Sequence, residues 1–150
     1  MDRIEQRIHR IIDGNSQTLL AMSDHLYGRA EAGYHETETA AFAARVLREM
    51  GLEPRENLAL TGIRAAAGNG NGPSVAVIGE LDGIACPEHP FADPQTGFSH
   101  ACGHHAQLVV MLGAAYALSD PEISAALDGR AVFFATPAEE LLRADIRDVS

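Results

Sequence analysis

Three short polar motifs hold most of the side chains that could do chemistry in this chain of 150 residues. SHACGHHA (99–106) contains one cysteine and three histidines, GELDG (79–83) contains two acids, and TPAEE (136–140) ends in two glutamates. Thiolate, imidazole and carboxylate groups are the protein ligands of zinc and of other borderline divalent metals. The three motifs together therefore offer the donor set of a metal site.

In the first motif, Cys102 and His104 flank Gly103, a residue that allows the backbone to turn so that both side chains point at one spot. The start of the helix that follows would favour the thiolate form of Cys102 through the helix dipole. A buried cysteine with histidines that cap the helix explains the pattern equally well. A cysteine nucleophile with a histidine base is a weaker interpretation, because neighbours on a tight loop rarely align for proton transfer.

The two glutamates of TPAEE follow a short apolar segment directly. Consecutive side chains point in different directions, so one carboxylate could bind a metal while its neighbour takes a proton from a water molecule. A solvated pair that caps a following helix, AEELLRADI, is the simpler explanation of this motif alone. In GELDG, Asp82 could orient a ligand histidine from behind, or it could belong to an ordinary turn at the end of a strand.

The hydrophobic pattern predicts helices alternating with short strands. Apolar spacing of three and four residues predicts one long helix over 2–29, weakened at Asp13-Gly14-Asn15, and a second from about Glu36 to Met50, with Gly51 after it. Further along, the pattern predicts a strand over 58–67, a turn at GNGNGP (68–73), a buried strand at VAVIGEL (75–81), an irregular loop over 83–99, a buried helix at AQLVVMLGAAYALSD (106–120) and a core strand at AVFFAT (131–136).

This alternation is typical of an α/β fold with a largely parallel sheet. In such sheets, ligands collect at the carboxyl ends of the strands. GELDG follows VAVI, TPAEE includes the end of AVFFAT, and SHACGHHA precedes the buried helix. The fold therefore predicts that the three motifs meet at one edge of the sheet.

Composition excludes several functional classes. The 46% apolar and 21% charged residues are globular values, and the net charge is −10 with no basic stripe, so nucleic acid is not an expected partner. The N-terminus lacks the apolar core of a signal peptide, and no apolar run is long enough to cross a membrane. Two cysteines make no disulfide framework. We expect a reducing, cytoplasmic compartment.

Taken together, the motifs resemble the metal-dependent amidohydrolase family that includes aminoacylase-like enzymes, hippurate hydrolases, auxin-conjugate hydrolases and aminobenzoyl-glutamate hydrolases, within the dinuclear-metal carboxypeptidase superfamily. The resemblance covers about residues 8 to 142 and implies a three-layer αβα catalytic domain like that of the zinc peptidases. The matching segments, in family order, are AEAGYHETET, GELDG, SHACGHHA, LGAAYAL, LDGRAVFF and TPAEE.

The resemblance implies hydrolysis of the amide bond of an N-acyl or N-aroyl amino acid, or of a dipeptide-like substrate, by two divalent ions of zinc, manganese or cobalt. It implies Cys102, His104 and Glu140 as metal ligands, with Cys102 between the two ions. Glu139 would be the general base, and Asp82 would be the supporting aspartate.

Three positions depart from the family pattern. Ala30 stands where proline is usual, Glu80 where aspartate is common, and His105 where aspartate or asparagine follows the Cys-Gly-His. We expect His105 to tune the site without binding metal, and His100 to orient the loop.

Length is the largest departure, because family members are typically more than twice as long. We therefore expect residues 1–150 to be an N-terminal segment of the catalytic domain that carries about half of the two-metal site. The lid and dimerisation domain and the C-terminal part of the catalytic domain would be absent, and the full-length relative would be a homodimer. The alternative is a truncated, non-catalytic α/β module, or an association partner without activity of its own.

Overall fold

The computed structural model describes residues 2–68, 70 and 72–141. The helices and strands, in chain order, are α1 (Arg3–Gly14), α2 (Ser16–Tyr27), α3 (Thr37–Glu49), β1 (Arg55–Leu58), β2 (Gly62–Gly68), β3 (Ser74–Glu80), β4 (Ile84–Ala85), β5 (Phe98–Ser99), α4 (His104–Leu118), α5 (Pro121–Ala126) and β6 (Arg130–Thr136). None of the helices described is long and apolar enough to span a membrane.

The long helix predicted over 2–29 is two helices that meet at Asn15. The side chain of Asn15 donates a hydrogen bond to the carbonyl of Ile11, 2.8 Å away, and this residue ends α1 and precedes α2. Asp2 and Glu5 form a capping box at the start of α1. The turn signal at Asp13-Gly14-Asn15 therefore marks a complete break.

Two later helices agree with the apolar spacing that predicted them. α3 is followed by Gly51 at φ 79°, a left-handed conformation in which glycine ends helices without strain. The predicted face of α3 is buried at Ala43, Ala44 and Leu47. In α4, the predicted apolar residues Leu108, Met111, Leu112 and Ala115 are at most 1% exposed.

The main sheet has the strand order β1-β2-β6-β3. The prediction of a largely parallel sheet is wrong, because β1 with β2 and β2 with β6 are antiparallel, and only β3 with β6 is parallel. The predicted strand over 58–67 contains a turn at 59–61 that reverses the chain between β1 and β2. A continuous apolar run is typical of a strand buried on both faces, but it does not by itself fix the direction of the strand.

The prediction that VAVIGEL is a buried strand is also wrong. β3 lies at an edge of the sheet, with Val75 65% and Ile78 54% exposed. The loop over 83–99 is largely irregular, as expected, although β4 and β5 pair within it as a small antiparallel ribbon. The turn at 68–73 falls partly, and the proposed helix after TPAEE mostly, outside the described residues.

The core lies between the sheet and its helices, on one face of the sheet. Ile63, Ala65, Phe133 and Ala135 of the strands pack with buried residues of α2, α3 and α4. The alternate residues of these strands point to the opposite face of the sheet and do not belong to that core. They are Arg64, Ala66, Val132, Phe134, Ala76 and Ile78. Within the described residues the fold thus has two layers, not the three that the family resemblance implied.

Candidate metal centre

The single parallel strand pair brings two of the polar motifs together. β3 and β6 run side by side until Glu80 pairs with Thr136, and the N–H of Leu81 then donates to the carbonyl of Thr136 at 3.0 Å. The segments that follow the two strands leave the sheet at the same edge, as carboxyl ends of parallel strands do. The prediction that GELDG and TPAEE meet is therefore confirmed, although the sheet as a whole is not parallel.

The turn at Gly103 brings the third motif to the same place. Gly103 has φ 92° and forms the N-cap of α4, so that His104 is the first residue of the helix. The potential ligand atoms of Cys102, His104 and Glu140 all lie within 4.8 Å of one another. The structure thus places the three predicted metal ligands around one point.

His104 is held in one orientation by the segment after β3. Its Nδ1 lies 3.0 Å from the backbone carbonyl oxygen of Asp82, and since a carbonyl only accepts hydrogen bonds, Nδ1 carries a proton. Its Nε2 lies 2.8 Å from a carboxylate oxygen of Glu80, 3.6 Å from Glu140 and 3.7 Å from Glu139. With Nδ1 as the donor to Asp82, either a proton on Nε2 or a cation among the carboxylates accounts for this close approach.

Glu80 is the member of this cluster to which sequence reasoning gave no role. With His104 and Glu139 it forms a second triad whose ligand atoms lie within 4.8 Å of one another. The available signal was the alternation in β3, which puts Glu80 and Asp82 on the same side of an extended segment. The two triads share His104.

Asp82 supports both neighbouring motifs from inside the protein. The residue is 0% exposed, and its Oδ2 accepts a hydrogen bond of 2.9 Å from the backbone N–H of Glu140. Its Oδ1 lies 3.5 Å from Nδ1 of His104 and has no hydrogen-bond partner among the described residues. The position fits the supporting role expected for this aspartate.

Burial and solvent exposure divide the acids into two groups. The side chains of Glu139 and Glu140 are 50% and 35% exposed, and that of Glu80 is 19% exposed. These three carboxylates can reach a ligand that arrives from solvent. Asp82 cannot, because it is enclosed by the segments that it joins.

The cysteine is protonated more readily than the sequence suggested. Burial raises the pKa of the Cys102 thiol above its usual value, and the nearby carboxylates of Glu140 and Asp82 add to the rise. The backbone N–H of His104 lowers this pKa, as expected at a helix start, but burial dominates. The helix start thus favours the thiolate as expected, but its effect on the pKa is outweighed by burial.

The two other histidines of SHACGHHA lie outside both triads. His100 is 2% exposed, and burial, followed by the neighbouring His105 and His104, lowers its pKa to about 4. Neither of its ring nitrogens has a hydrogen-bond partner among the described residues. The ring of His105 lies 4.7 Å from that of Tyr27 and 5.4 Å from that of His100. The expected roles, loop orientation for His100 and tuning of the site for His105, stay predictions.

These residues fit a divalent metal. The donors are one thiol, one imidazole and three carboxylates, a set suited to zinc, manganese or cobalt. The Nε2 of His104 lies beside the carboxylates of Glu80 and Glu140, an arrangement that a bound cation would satisfy.

A small cavity adjoins the cluster on the side of Glu140. It has a volume of about 180 Å³ and is bounded by the 32–33 segment, by β4 and by Phe98, with Asp82 and Glu140 at one side. Its walls are mostly apolar, so it suits an apolar part of a small ligand.

Known proteins were compared with the chain at the levels of family, sequence and structure. No family model matches it. The N-acetyl-L-cysteine deacetylase of Bacillus subtilis is 34% identical over 126 residues, which are 81% of this chain and 30% of the relative. IAA-amino acid hydrolase ILR1-like 4 of Arabidopsis thaliana is 33% identical over 127 residues, again 81% of this chain and 28% of the relative.

Among solved structures, the YxeP protein of Bacillus subtilis, described as a dinuclear metal-binding peptidase of the M20 family, superposes with a TM-score of 0.74. It is 30% identical, and the match covers 85% of this chain and 36% of that one. The chain is homologous to the M20 metallopeptidases and amidohydrolases. This M20 homologue spans about 30% of the length of the curated relatives it matches, so the homology concerns part of those proteins.

Proposed function

We propose that this chain contributes part of the active site of a metal-dependent amidohydrolase that cleaves the amide bond of N-acyl or N-aroyl amino acids. The observation that carries the proposal is the environment of the His104 ring. Its Nε2 faces three carboxylates, while its Nδ1 is hydrogen-bonded to the backbone carbonyl of Asp82. The names of the relatives support the substrate class, because one is an N-acetyl-L-cysteine deacetylase and the other an IAA-amino acid hydrolase.

In this proposal Cys102, His104 and Glu140 would hold a divalent metal. A divalent metal would polarise the substrate carbonyl and lower the pKa of a water molecule. Glu139, next to the cluster and open to solvent, accepts a proton from the attacking water at a carboxylate oxygen and returns it to the leaving amine. Asp82 keeps His104 in the tautomer that leaves Nε2 free.

The cavity beside Glu140 would receive an apolar part of the substrate. Its position next to Asp82 and Glu140 puts such a group within reach of the cluster. Its volume of about 180 Å³ suits a small acyl group or amino-acid side chain.

Metal binding tests the ligand set. We expect the chain to bind Co²⁺ with a thiolate-to-cobalt absorption band that Cys102→Ser abolishes. Cys86→Ser is the matched control, because Cys86 lies in the loop between β4 and β5, outside both triads, and should keep the band. An identical band in the wild-type chain and in Cys102→Ser would contradict the ligand assignment.

Amino-acid release tests the reaction. N-acetyl, hippuryl and aminobenzoyl-glutamate substrates would be supplied with Zn²⁺, Mn²⁺ or Co²⁺. Glu139→Gln should lower turnover by about 10²–10⁴-fold, a range typical of a lost general base, while the cobalt band remains. Equal turnover by Glu139→Gln and wild type would contradict the role of Glu139.

A second candidate function is a non-catalytic module that associates with a partner. The observation in its favour is the exposed apolar edge at β3, since an uncovered strand of this kind pairs readily with another chain. Absence of turnover by a chain that binds metal would favour this candidate.

A further inference from the structure

Glu36 lies at the start of α3, but its carboxylate does not cap that helix. It occupies the N-cap position of α3, where an acidic side chain commonly accepts hydrogen bonds from the first N–H groups, yet it makes no such bond. Glu31 does so instead, and its carboxylate accepts from the N–H groups of Glu38 at 3.1 Å and Thr39 at 2.8 Å. The side chain of Glu36 is therefore free to turn into the protein.

Inside the protein, Glu36 contacts the segment that carries the two candidate glutamates. It is 0% exposed. One carboxylate oxygen accepts from the hydroxyl of Thr61 at 2.6 Å, and the other accepts from the backbone N–H of Ala138 at 2.8 Å. Burying a carboxylate is unfavourable unless hydrogen bonds compensate, and both of these bonds serve that purpose.

Ala138 is held in an unusual conformation. Its φ is 55°, in the left-handed region that residues other than glycine rarely adopt. Such a conformation persists only where the surroundings enforce it, and it recurs at functional sites. Here it immediately precedes Glu139 and Glu140, so it sets the direction in which those side chains leave the backbone.

The other end of this short segment is held in the same way. The N–H of Glu140 donates to the buried carboxylate of Asp82 at 2.9 Å. Both ends of the 138–140 segment are thus hydrogen-bonded to buried carboxylates, that of Glu36 at the start of α3 and that of Asp82 just after β3. Glu139 lies between the two attachment points.

We propose that Glu36 is a positioning residue of the candidate metal centre. By fixing the N–H of Ala138 it directs the carboxylates of Glu139 and Glu140 toward Nε2 of His104. This inference rests on the proposed function for the role of those carboxylates, and it assigns Glu36 no contact with metal or substrate.

Amide hydrogen exchange in the metal-free chain tests the contact itself. Glu36→Leu should increase the exchange rate of the Ala138 N–H by at least about tenfold, while the Glu140 N–H, held by Asp82, keeps its protection. Glu36→Gln should retain both, since its amide oxygen can accept from Ala138 and its NH₂ can donate to Thr61. Unchanged exchange at Ala138 in Glu36→Leu would overturn the proposal. Glu36→Asp, one methylene shorter, gives the same comparison if Glu36→Leu does not fold.

Cobalt affinity tests the consequence. Glu36→Leu should weaken Co²⁺ binding about tenfold, the lower end of the effect of residues that orient metal ligands, and Glu36→Gln should restore it. Thr61→Val is the matched control, because it removes the other hydrogen bond of Glu36 and leaves Ala138 held. It should change affinity by less than about twofold.

A double-mutant cycle separates positioning from general structural damage. In a Glu140→Ala background, Glu36→Leu should cause no further loss of Co²⁺ affinity, because its effect passes through Glu140. Additive losses would overturn the positioning role. If the wild-type chain itself binds no Co²⁺, the proposed metal site fails and this role fails with it. If it binds and Glu36→Leu binds equally well, only the positioning role fails.

Discussion

The two faces of the main sheet are built from the same strands and have different surroundings. On the helix-covered face Phe133 and Ile63 are at most 1% exposed, whereas on the opposite face exposure rises from 9% at Val132 in the sheet interior to 54% at Ile78 on the edge strand. Phe133 and its neighbour Phe134 differ only in the side of β6 to which they point. The comparison teaches that side-chain direction in the sheet, more than hydrophobicity, decides which residues stabilise the fold.

The largest expected effect concerns that phenylalanine pair. Phe133→Ala should lower the free energy of unfolding by about 3–5 kcal/mol, because it removes buried apolar surface and leaves a cavity. Phe134→Ala, the matched control, should cost about 1 kcal/mol, since this side chain lies outside the core. Urea-induced unfolding measures both values, and equal losses would show that the two faces are buried alike.

The second prediction extends the comparison to the polar end of the covered side, where His100 is buried. Its pKa is lowered to about 4 by burial, so from pH 6.5 down to 4 the unfolded state binds a proton that the folded state does not. Stability is thus fully present above pH 6.5 and should fall by about 2–4 kcal/mol toward pH 4.

His100→Leu should flatten this pH dependence because it removes the titrating ring, and no hydrogen bond is lost with it, since neither ring nitrogen has a described partner. His9→Leu on the exposed surface of α1 is the control and should leave it in place. Thermal unfolding across pH 4–7 makes the measurement. A slope that persists unchanged in His100→Leu would assign it to other groups.

The third prediction compares two small residues of β3. A Cβ at Gly79 would lie 2.9 Å from the Cα of Leu108, so Gly79→Ala should push α4 away and cost about 1–3 kcal/mol. Ala76→Ser, on the open face of the same strand, should change stability by about 0.5 kcal/mol or less. Chemical unfolding of both variants decides whether α4 touches β3 as closely as the structure shows.

The smallest expected effect on stability is on the open face itself. Ile78→Thr should alter the free energy of unfolding by about 0.5 kcal/mol, since the side chain is already half exposed and threonine keeps the β-branched shape. The same change should reduce self-association at high concentration, measured by light scattering, because exposed apolar residues on an edge strand favour pairing. A loss of several kcal/mol would mean that this face is covered.

The sequence predicted α3 and α4 well because their signal is local, whereas it merged α1 with α2 and did not predict α5. The spacing of Leu108, Met111, Leu112 and Ala115 identifies both the helix and its buried face without knowledge of the rest of the chain. The same holds for the meeting of the three polar motifs, since each follows or precedes a recognisable apolar segment. The contact between GELDG and TPAEE depends on only one parallel strand pair, β3 with β6.

What sequence reasoning missed depends on contacts between distant segments. The apolar run of β3 is typical of a buried strand, and nothing in it reveals that the strand lies at an edge. Glu36 was predicted only as the approximate start of a helix, and its contact with Ala138 spans 102 positions. Glu80 was noticed as an acid, but its 2.8 Å approach to His104 depends on how α4 packs against β3.

The position of β6 in the sheet has a consequence for folding during synthesis. It is the last strand described along the chain, and yet it lies in the interior of the sheet, between β2 and β3. Until the ribosome has released residues 130–136, β2 and β3 have no partner across that gap, and their N–H and C=O groups are exposed to other chains. The same event delivers the segment that bears Glu139 and Glu140, so closure of the sheet and assembly of the candidate metal centre should share one step.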